Sequence, residues 1–470
     1  MHDLTTGKPA GLIFKFATPM LLGNIFQQLY NVADSIIVGR YLGKEALAAV
    51  GASFPLIFML VSFIIGVSTG STIIIAQYFG AKDLAKVKKA IDTMNIFLFF
   101  AAIVVGIIGI AFSAPIFRMI RLPEEVIPQA SLYMSVYLSG ILFFFGFNGT
   151  SAVLRGLGDS KTPLYFLIIS TVTNIFFDLL FVVVFKWGIA GAAAATVLSQ
   201  AGAFITLVLY LNRRHPVINL SWRKMEWDRE IFRTGIRIGV PTGFQQTFVS
   251  LGMLALLRIV NDFGTDAVAA YSVAGRIDNL AGLPAMNFGA ALSTYTGQNI
   301  GAGKLKRVGQ GLRVTLQMSG LLAVVSSVLI MIFREPLMTL FTTDPGVIEI
   351  GARYLLIVSG FYLLFSGMFV VGGVMRGAGD TLIPMFITLF SLWLVRIPLA
   401  AVLSKHMGID GIWWAIPIAW FMGLVLSYLY YLTGRWKLKS VVRNPEVVKV
   451  KAGEETGARH GWFHLFRRRP

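Results

Sequence analysis

The segment AVLRGLGDSKTP, residues 152–163, returns as GVMRGAGDTLIP at residues 373–384. Arg155 and Arg376, Gly158 and Gly379, Asp159 and Asp380, and Pro163 and Pro384 each stand 221 residues apart. The same spacing joins Gln77, Gly80 and Ala81 of AQYFGAK to Gln298, Gly301 and Ala302 of GQNIGAG, Pro115 to Pro336, and Tyr133 to Tyr354. WGIAGA (187–192) and MGIDGI (407–412) match after a one-residue slip. So many identities at one separation mark an internal duplication. Whatever one half folds into, the other must repeat.

The sequence around these turns is strongly apolar. Hydrophobic residues make up 56% of the 470 and charged residues 14%, against roughly a quarter charged in a soluble domain. Apolar runs long enough to cross a hydrocarbon core of about 30 Å recur throughout. They are continuous rather than alternating, which selects helices over barrel strands. Twelve spans are predicted, at 12–38, 46–76, 91–112, 129–154, 163–185, 188–211, 232–260, 266–298, 314–333, 347–375, 384–403 and 409–433. The first is expected to be a retained span rather than a signal peptide. Six spans per copy is an even number, so both copies enter the membrane from the same side as parallel repeats. The expected fold is an all-α polytopic membrane protein, an N-lobe (1–211) and a C-lobe (232–433) around a central cleft. An interlobe linker (212–231) and a basic tail (434–470) complete it. The tail has no amphipathic period and is expected to be disordered.

The net charge of +18 follows the topology. Lys82, Lys86, Lys88, Lys89, Arg155, Lys161, Arg213, Arg214, Lys304, Lys306 and Arg307 all fall on one predicted side. Basic loops are cytoplasmic, which places both termini on the cytoplasmic side of the cell membrane and removes nucleic acid as a partner. There is no cysteine, so thiolate metal sites and cysteine nucleophiles are excluded. The five histidines show no metal-ligand spacing. RGLGDS lacks a Walker lysine and a βαβ context, so no ATP site is expected, no enzyme is indicated, and uphill work falls to an ion gradient.

Polar residues inside the spans carry the functional signal. NIFQQLYNVADS (24–35) sets Asn24, Gln27 or Gln28, Asn31, and Asp34 or Ser35 on one helical face. TNIFFDLLFVVV (173–184) sets Asn174 and Asp178 one turn apart, and the small-residue helix GAAAATVLSQ carries Thr196. A carboxylate at mid-membrane costs roughly 2.5–3.5 kcal/mol on insertion scales. If the first, fifth and sixth spans meet, Asp34, Asn174, Asp178 and Thr196 form a site for a cation or proton. The second half echoes the glutamines as Gln245 and Gln246, but Gly252 stands in the register of Asp34. Arg396 falls roughly where the first half has Asn174 and Asp178. Gln27, Gln28, Asn31, Gln245, Gln246 and Arg396 are the candidates for lining a substrate cleft. In the repeated turns the second glycine suits positive φ, the aspartate a helix cap, and Arg155–Asp159 and Arg376–Asp380 an ion pair at the cytoplasmic gate. Arg276 and Asp278 are read as structural, paired with each other or with neighbours.

With these residues in view, the chain resembles the multidrug and toxic compound extrusion (MATE) family over nearly its full length. NVADSIIVGRYLG, the AQYFGAK and GQNIGAG loops and the paired RGxGD turns carry the likeness. The resemblance implies a monomer in membrane lipid, with no cofactor, exporting bulky cationic or amphiphilic compounds against H⁺ or Na⁺. The pattern is most similar to the bacterial DinF-type branch, whose first-lobe cation site corresponds to Asp34, Asn174, Asp178 and Thr196. The tenth span lacks the acids of the NorM-type branch, and the seventh has glutamine where that branch has an acid. A lipid-linked oligosaccharide flippase of related two-lobed fold is the alternative.

Overall fold

The computed structural model describes residues 2–119, 122–214 and 225–442. Arg121, the middle of the expected linker and the tail beyond residue 442 lie outside the described residues. Every regular element among the described residues is helical. The spans are α1 (Pro9–Leu42), α2 (Lys44–Gly80), α3 (Leu84–Ala111), α4 (Ile127–Ser139 and Ile141–Gly156), α5 (Lys161–Val184) and α6 (Gly188–Arg214). The second set is α7 (Arg229–Asn261), α8 (Thr265–Gly301), α9 (Leu305–Thr339), α10 (Pro345–Ser359 and Tyr362–Gly377), α11 (Leu382–Met407) and α12 (Ile409–Leu432).

Local chemistry sets several starts. Asp83 caps α3 by accepting from Lys86 N at 3.0 Å, and Asp228 caps α7 through Glu230 N and Ile231 N. Asp344 caps α10 with Pro345 in its first turn, where the missing N–H costs nothing. Each copy bends its fourth helix by 51° at the same place, after Ser139 and after Ser359. Each also widens its fifth helix into a π-helical stretch, Leu179–Val184 in one lobe and Phe390–Arg396 in the other. The bend falls at the same place in the duplication, whereas the π-helical stretch begins about ten residues earlier in the second copy.

Among the described residues nine helices are long and apolar enough to cross a membrane, and eleven segments are if each bent pair counts as one. The remaining expected span is α8. At 37 residues it is long enough, but it carries Asp266, Arg276, Asp278, Asn279, Asn287, Gln298 and Asn299. From Ala291 to Gly301 every residue is buried. Protein rather than lipid surrounds that last stretch, which holds Gln298 and Asn299, so the apolar composition of a lipid-facing helix is not required there.

The four apolar cores show how the lobes meet. One joins Ile37 and Val38 to α2, α3 and α4 within the first lobe. A second lies wholly within α7–α12. The other two are mixed: Leu4, Ile13 and Phe16 pack with α8, α9 and α10, and Ile231 and Ile238 of α7 pack with α2, α3, α4 and α6. The mixed cores sit at the end that carries the basic loops and the pure ones at the other. The lobes therefore join at the basic face and part toward the opposite one.

Glycines permit that junction. A Cβ on Gly66 would stand 2.4 Å from Gly243 N, and one on Gly70 would stand 2.9 Å from the Gly235 carbonyl oxygen. Small residues let two membrane helices approach to backbone contact. Here they do so between α2 and α7, across the lobes.

Candidate functional site

Helix α1 packs against α5, α6 and the π-helical turn that follows Asp178. That packing brings Asp34, Asn174, Asp178 and Thr196 into one buried cluster; Asp178 is 0% exposed and Asp34 8%. The Thr196 hydroxyl is the hub. It meets Tyr30 Oη at 3.1 Å, accepts from Asn174 Nδ2 at 3.5 Å, and donates to the Ala192 carbonyl at 3.3 Å. The two carboxyl groups lie within electrostatic reach of each other and of Tyr30 and Tyr133.

What the cluster lacks is donors. Asp34 Oδ1, Asn174 Oδ1 and both Asp178 carboxyl oxygens are buried and accept no hydrogen bond, and Gln200 Oε1, one turn beyond Thr196, is the same. Native proteins pair almost all buried polar groups, so several unmatched acceptors in one place set this cluster apart from ordinary buried polar groups. Oxygen-rich, donor-poor surroundings suit a proton or a hard cation. Among the described residues no group of three or more His, Cys, Asp or Glu side chains is placed to hold a metal ion.

Tyr30, Tyr133 and Tyr137 were not anticipated as part of this cluster. Tyr133 and Tyr137 of α4 stack at 6.4 Å and 23°, and Tyr30 lies one turn before Asp34. The sequence held two signals: Tyr30 shares the polar face of α1, and Tyr133 is one of the identities repeated at 221 residues.

The other candidates fall into two groups. Gln27 and Asn31 are half-buried and Gln28 is exposed. Gln245 donates to Thr388 Oγ1 at 2.6 Å, tying α7 to α11, and Gln246 is half-buried. Asn24, on the same stripe, donates to Asn287 Oδ1 at 3.1 Å and so links α1 to α8 across the lobes. Arg396, at the end of the second π-helical stretch, lies inside the C-lobe with its Nε buried and unpartnered. It shares that interior with Asp278, which accepts from Tyr354 Oη at 3.4 Å. Tyr271 and Trp413 stack beside them at 5.8 Å and 6°.

Of the three expected pairings, that of Arg276 and Asp278 resolves toward neighbours of Asp278, and the two RGxGD ion pairs are corrected. Arg276 does not join Asp278: residues two apart on a helix point different ways, and Arg276 is exposed while Asp278 turns toward Tyr354 and Arg396. The RGxGD ion pairs are also absent from the ion pairs of the described residues. Asp159 instead accepts from Lys161 N and Thr162 N, both at 3.0 Å, and from Thr162 Oγ1 at 2.6 Å, capping α5. Asp380 accepts from Tyr430 Oη at 2.5 Å, and Arg376 donates to the Phe369 carbonyl at 3.3 Å. Gly158 and Gly379 take φ of +81° and +92°, as the turn requires.

The family model MatE matches residues 19–180 and again residues 241–402, one match per lobe. The chain belongs to the MATE family of transporters. It is 36% identical to the "Probable multidrug resistance protein YoeA" of Bacillus subtilis (strain 168), over 91% of this chain and 94% of that protein. It is 30% identical to the "Probable multidrug resistance protein NorM" of Thermotoga maritima, over 93% and 95%. A solved structure described as the outward-facing conformation of a multidrug resistance MATE family transporter shares the fold with a TM-score of 0.87. It does so at 24% identity, with 93% of this chain and 98% of that one covered. As a MATE protein this chain is a multi-pass membrane transporter rather than an enzyme.

Proposed function

We propose that this MATE protein exports amphiphilic and cationic organic compounds by alternating access, in exchange for H⁺ or Na⁺ entering at Asp34, Asn174, Asp178 and Thr196. The basic face is the cytoplasmic one, in the cell membrane, and the cleft of this structure then opens outward. The observation that carries the reading is the set of buried, unpartnered acceptor oxygens shared by α1 and α5. An ion moves a two-state equilibrium only by binding the two states unequally. Both acids lie where a rearrangement of α1 against α5 changes their surroundings, which supports coupling through them.

The match to Asp34, Asn174, Asp178 and Thr196 favours the DinF-type branch, and the names of the relatives support drug export. The flippase alternative calls for a cationic cavity. In the C-lobe Arg396 shares its interior with Asp278, which speaks against it. The test is efflux of a fluorescent organic cation from proteoliposomes, driven first by a pH gradient and then by a sodium gradient. Efflux driven by at least one of them, and lost in Asp34→Asn and Asp178→Asn, is the expected result. Full efflux by both variants would end the coupling assignment.

A further inference from the structure

The repeated loop residues Gln77 and Gln298 take no part in the ion cluster, yet both are completely buried at the basic face. Each reaches across the lobe boundary to the opposite RGxGD turn. Gln77 of α2 donates from Nε2 to the Gly377 carbonyl at 2.9 Å, and Gln298 of α8 donates to the Gly156 carbonyl at 3.1 Å. The helix ends that carry them are in backbone contact. A Cβ on Gly80 would stand 2.0 Å from the Gln298 carbonyl oxygen, and one on Gly301 would stand 1.9 Å from that of Gln77. The contact is the same seen from either lobe.

The amide oxygen of each glutamine faces the other way and takes hold of a chain segment outside the spans. Gln298 Oε1 accepts from Leu4 N at 2.9 Å, ahead of α1. Gln77 Oε1 accepts from Val441 N at 2.7 Å, after α12. Each segment belongs to one lobe and is gripped by the other.

The segment ahead of α1 is fastened further. Asn299 Nδ2 donates to the Leu4 carbonyl at 3.2 Å, Lys304 Nζ to that of Thr5 at 3.0 Å, and Arg307 Nη2 to that of Gly7 at 2.9 Å. His2 N donates to the Leu157 carbonyl at 3.2 Å. After α12, Trp436 is buried and stacks on Tyr431 at 5.5 Å and 11°, and a Cβ on Gly379 would stand 2.9 Å from the Lys439 carbonyl oxygen.

We propose that Gln77 and Gln298 are the positioning residues of the basic-face gate: each clamps the opposite lobe's turn and one chain-end strap, and opening the cleft to that face requires both to let go. The amide group is suited to this. It offers a donor to one lobe and an acceptor to the strap at the same time, so neither contact is kept if the helix ends separate. The proposal rests on the alternating-access reading, but its test needs no ion gradient and no substrate.

Because the chain has no cysteine, spin labels can be set at Lys86→Cys and Lys306→Cys, exposed positions on opposite lobes of the basic face. Their separation is measured in nanodiscs. Gln298→Ala and Gln77→Ala are expected to raise the long-distance population by about fivefold or more, since each removes more than one buried hydrogen bond. Removal of residues 2–7 should do the same. Gln298→Glu is nearly isosteric and keeps the acceptor for Leu4 N while losing the donor to Gly156. It should open the gate at least as far as Gln298→Ala, because a buried carboxylate then faces the Gly156 carbonyl. Lengthening between the two labels with unchanged helix content by circular dichroism separates gating from a general loss of structure. Unchanged distance distributions in Gln298→Glu and in the protein lacking residues 2–7 would overturn the proposal. If the distances lengthen in the variants and the parent protein shows no gradient-driven efflux, the gate assignment stands and the ion-coupling reading fails.

Discussion

The interiors of the two lobes occupy corresponding places in a duplicated frame, but their chemistry has diverged. Tyr133 and Tyr354 stand at repeat-related positions, each fourth helix bends by 51°, and each fifth helix has a π-helical stretch. In the first lobe those features surround two carboxyl groups with unpartnered oxygens. In the second they surround one acid, Asp278, and one arginine, Arg396, walled by Tyr271, Tyr354 and Trp413. One interior holds acids alone; the other sets an acid, itself with one unpartnered oxygen, near a guanidinium. A duplicated fold can therefore keep one geometry in both halves and give each a different polar interior, and the proposed coupling through the first lobe rests on that difference.

The largest expected effect breaks this asymmetry at its source. Asp178→Asn, and separately Asp34→Asn, should lower gradient-driven efflux by at least about tenfold, equivalent to about 1.4 kcal/mol, with a melting temperature at or above that of the parent. Higher stability is expected because a neutral amide removes a buried charge that has no partner. An unchanged rate in either variant would make the two lobes functionally alike.

Next comes the compensated interior. Arg396→Gln leaves Asp278 without its opposing charge and should cost about 1–3 kcal/mol of stability. The double variant Asp278→Asn/Arg396→Gln should recover part of that loss. Thermal melts in detergent separate the cases, and additive losses would show that the two charges do not compensate one another.

The repeated turns offer a smaller contrast. Asp159 takes three donors at the start of α5, whereas Asp380 takes one from Tyr430. Asp159→Ala should cost about 1 kcal/mol as a lost helix cap, and Asp380→Ala less, by the same melts. The smallest effect is expected at the tyrosines. Tyr30→Phe removes the contact with Thr196 and should weaken apparent ion affinity by less than about tenfold, in line with a net 0.5–1.5 kcal/mol for one hydrogen bond. Tyr354→Phe, in the other lobe, should leave that affinity unchanged.

How far these features were legible depended on whether they are local. The stripe from Asn24 to Asp34 follows from helical periodicity, and Asn174 and Asp178 from their spacing of four. Their meeting with Thr196 followed only conditionally, because a sequence shows the face of a helix but not its neighbour. Of the tyrosines around Asp34, Tyr30 shares its helix and polar face, but Tyr133 and Tyr137 come from α4, and no sequence pattern says that α4 packs there. The RGxGD turns were read correctly in backbone and wrongly in side-chain pairing. Positive φ is a property of one residue, whereas Asp159 has backbone N–H groups to cap and Asp380 meets Tyr430 from α12. For Arg276 and Asp278 the sequence leaves open a pairing with each other or with neighbours, and the helical turn, which sets the two apart, decides for neighbours of Asp278.

By itself the sequence determined a duplicated, all-helical membrane protein, its spans to within a few residues at most boundaries, and the two acids confined to one copy. Each of these is encoded in periodicity, hydropathy or repeat spacing, and needs no knowledge of what packs where. The tertiary structure alone decided that the lobes close at the basic face, that the amides of Gln77 and Gln298 cross between them, and that Asp178 ends buried without a donor. Those outcomes depend on contacts between residues as much as 364 positions apart, and they arise only when the helices have packed.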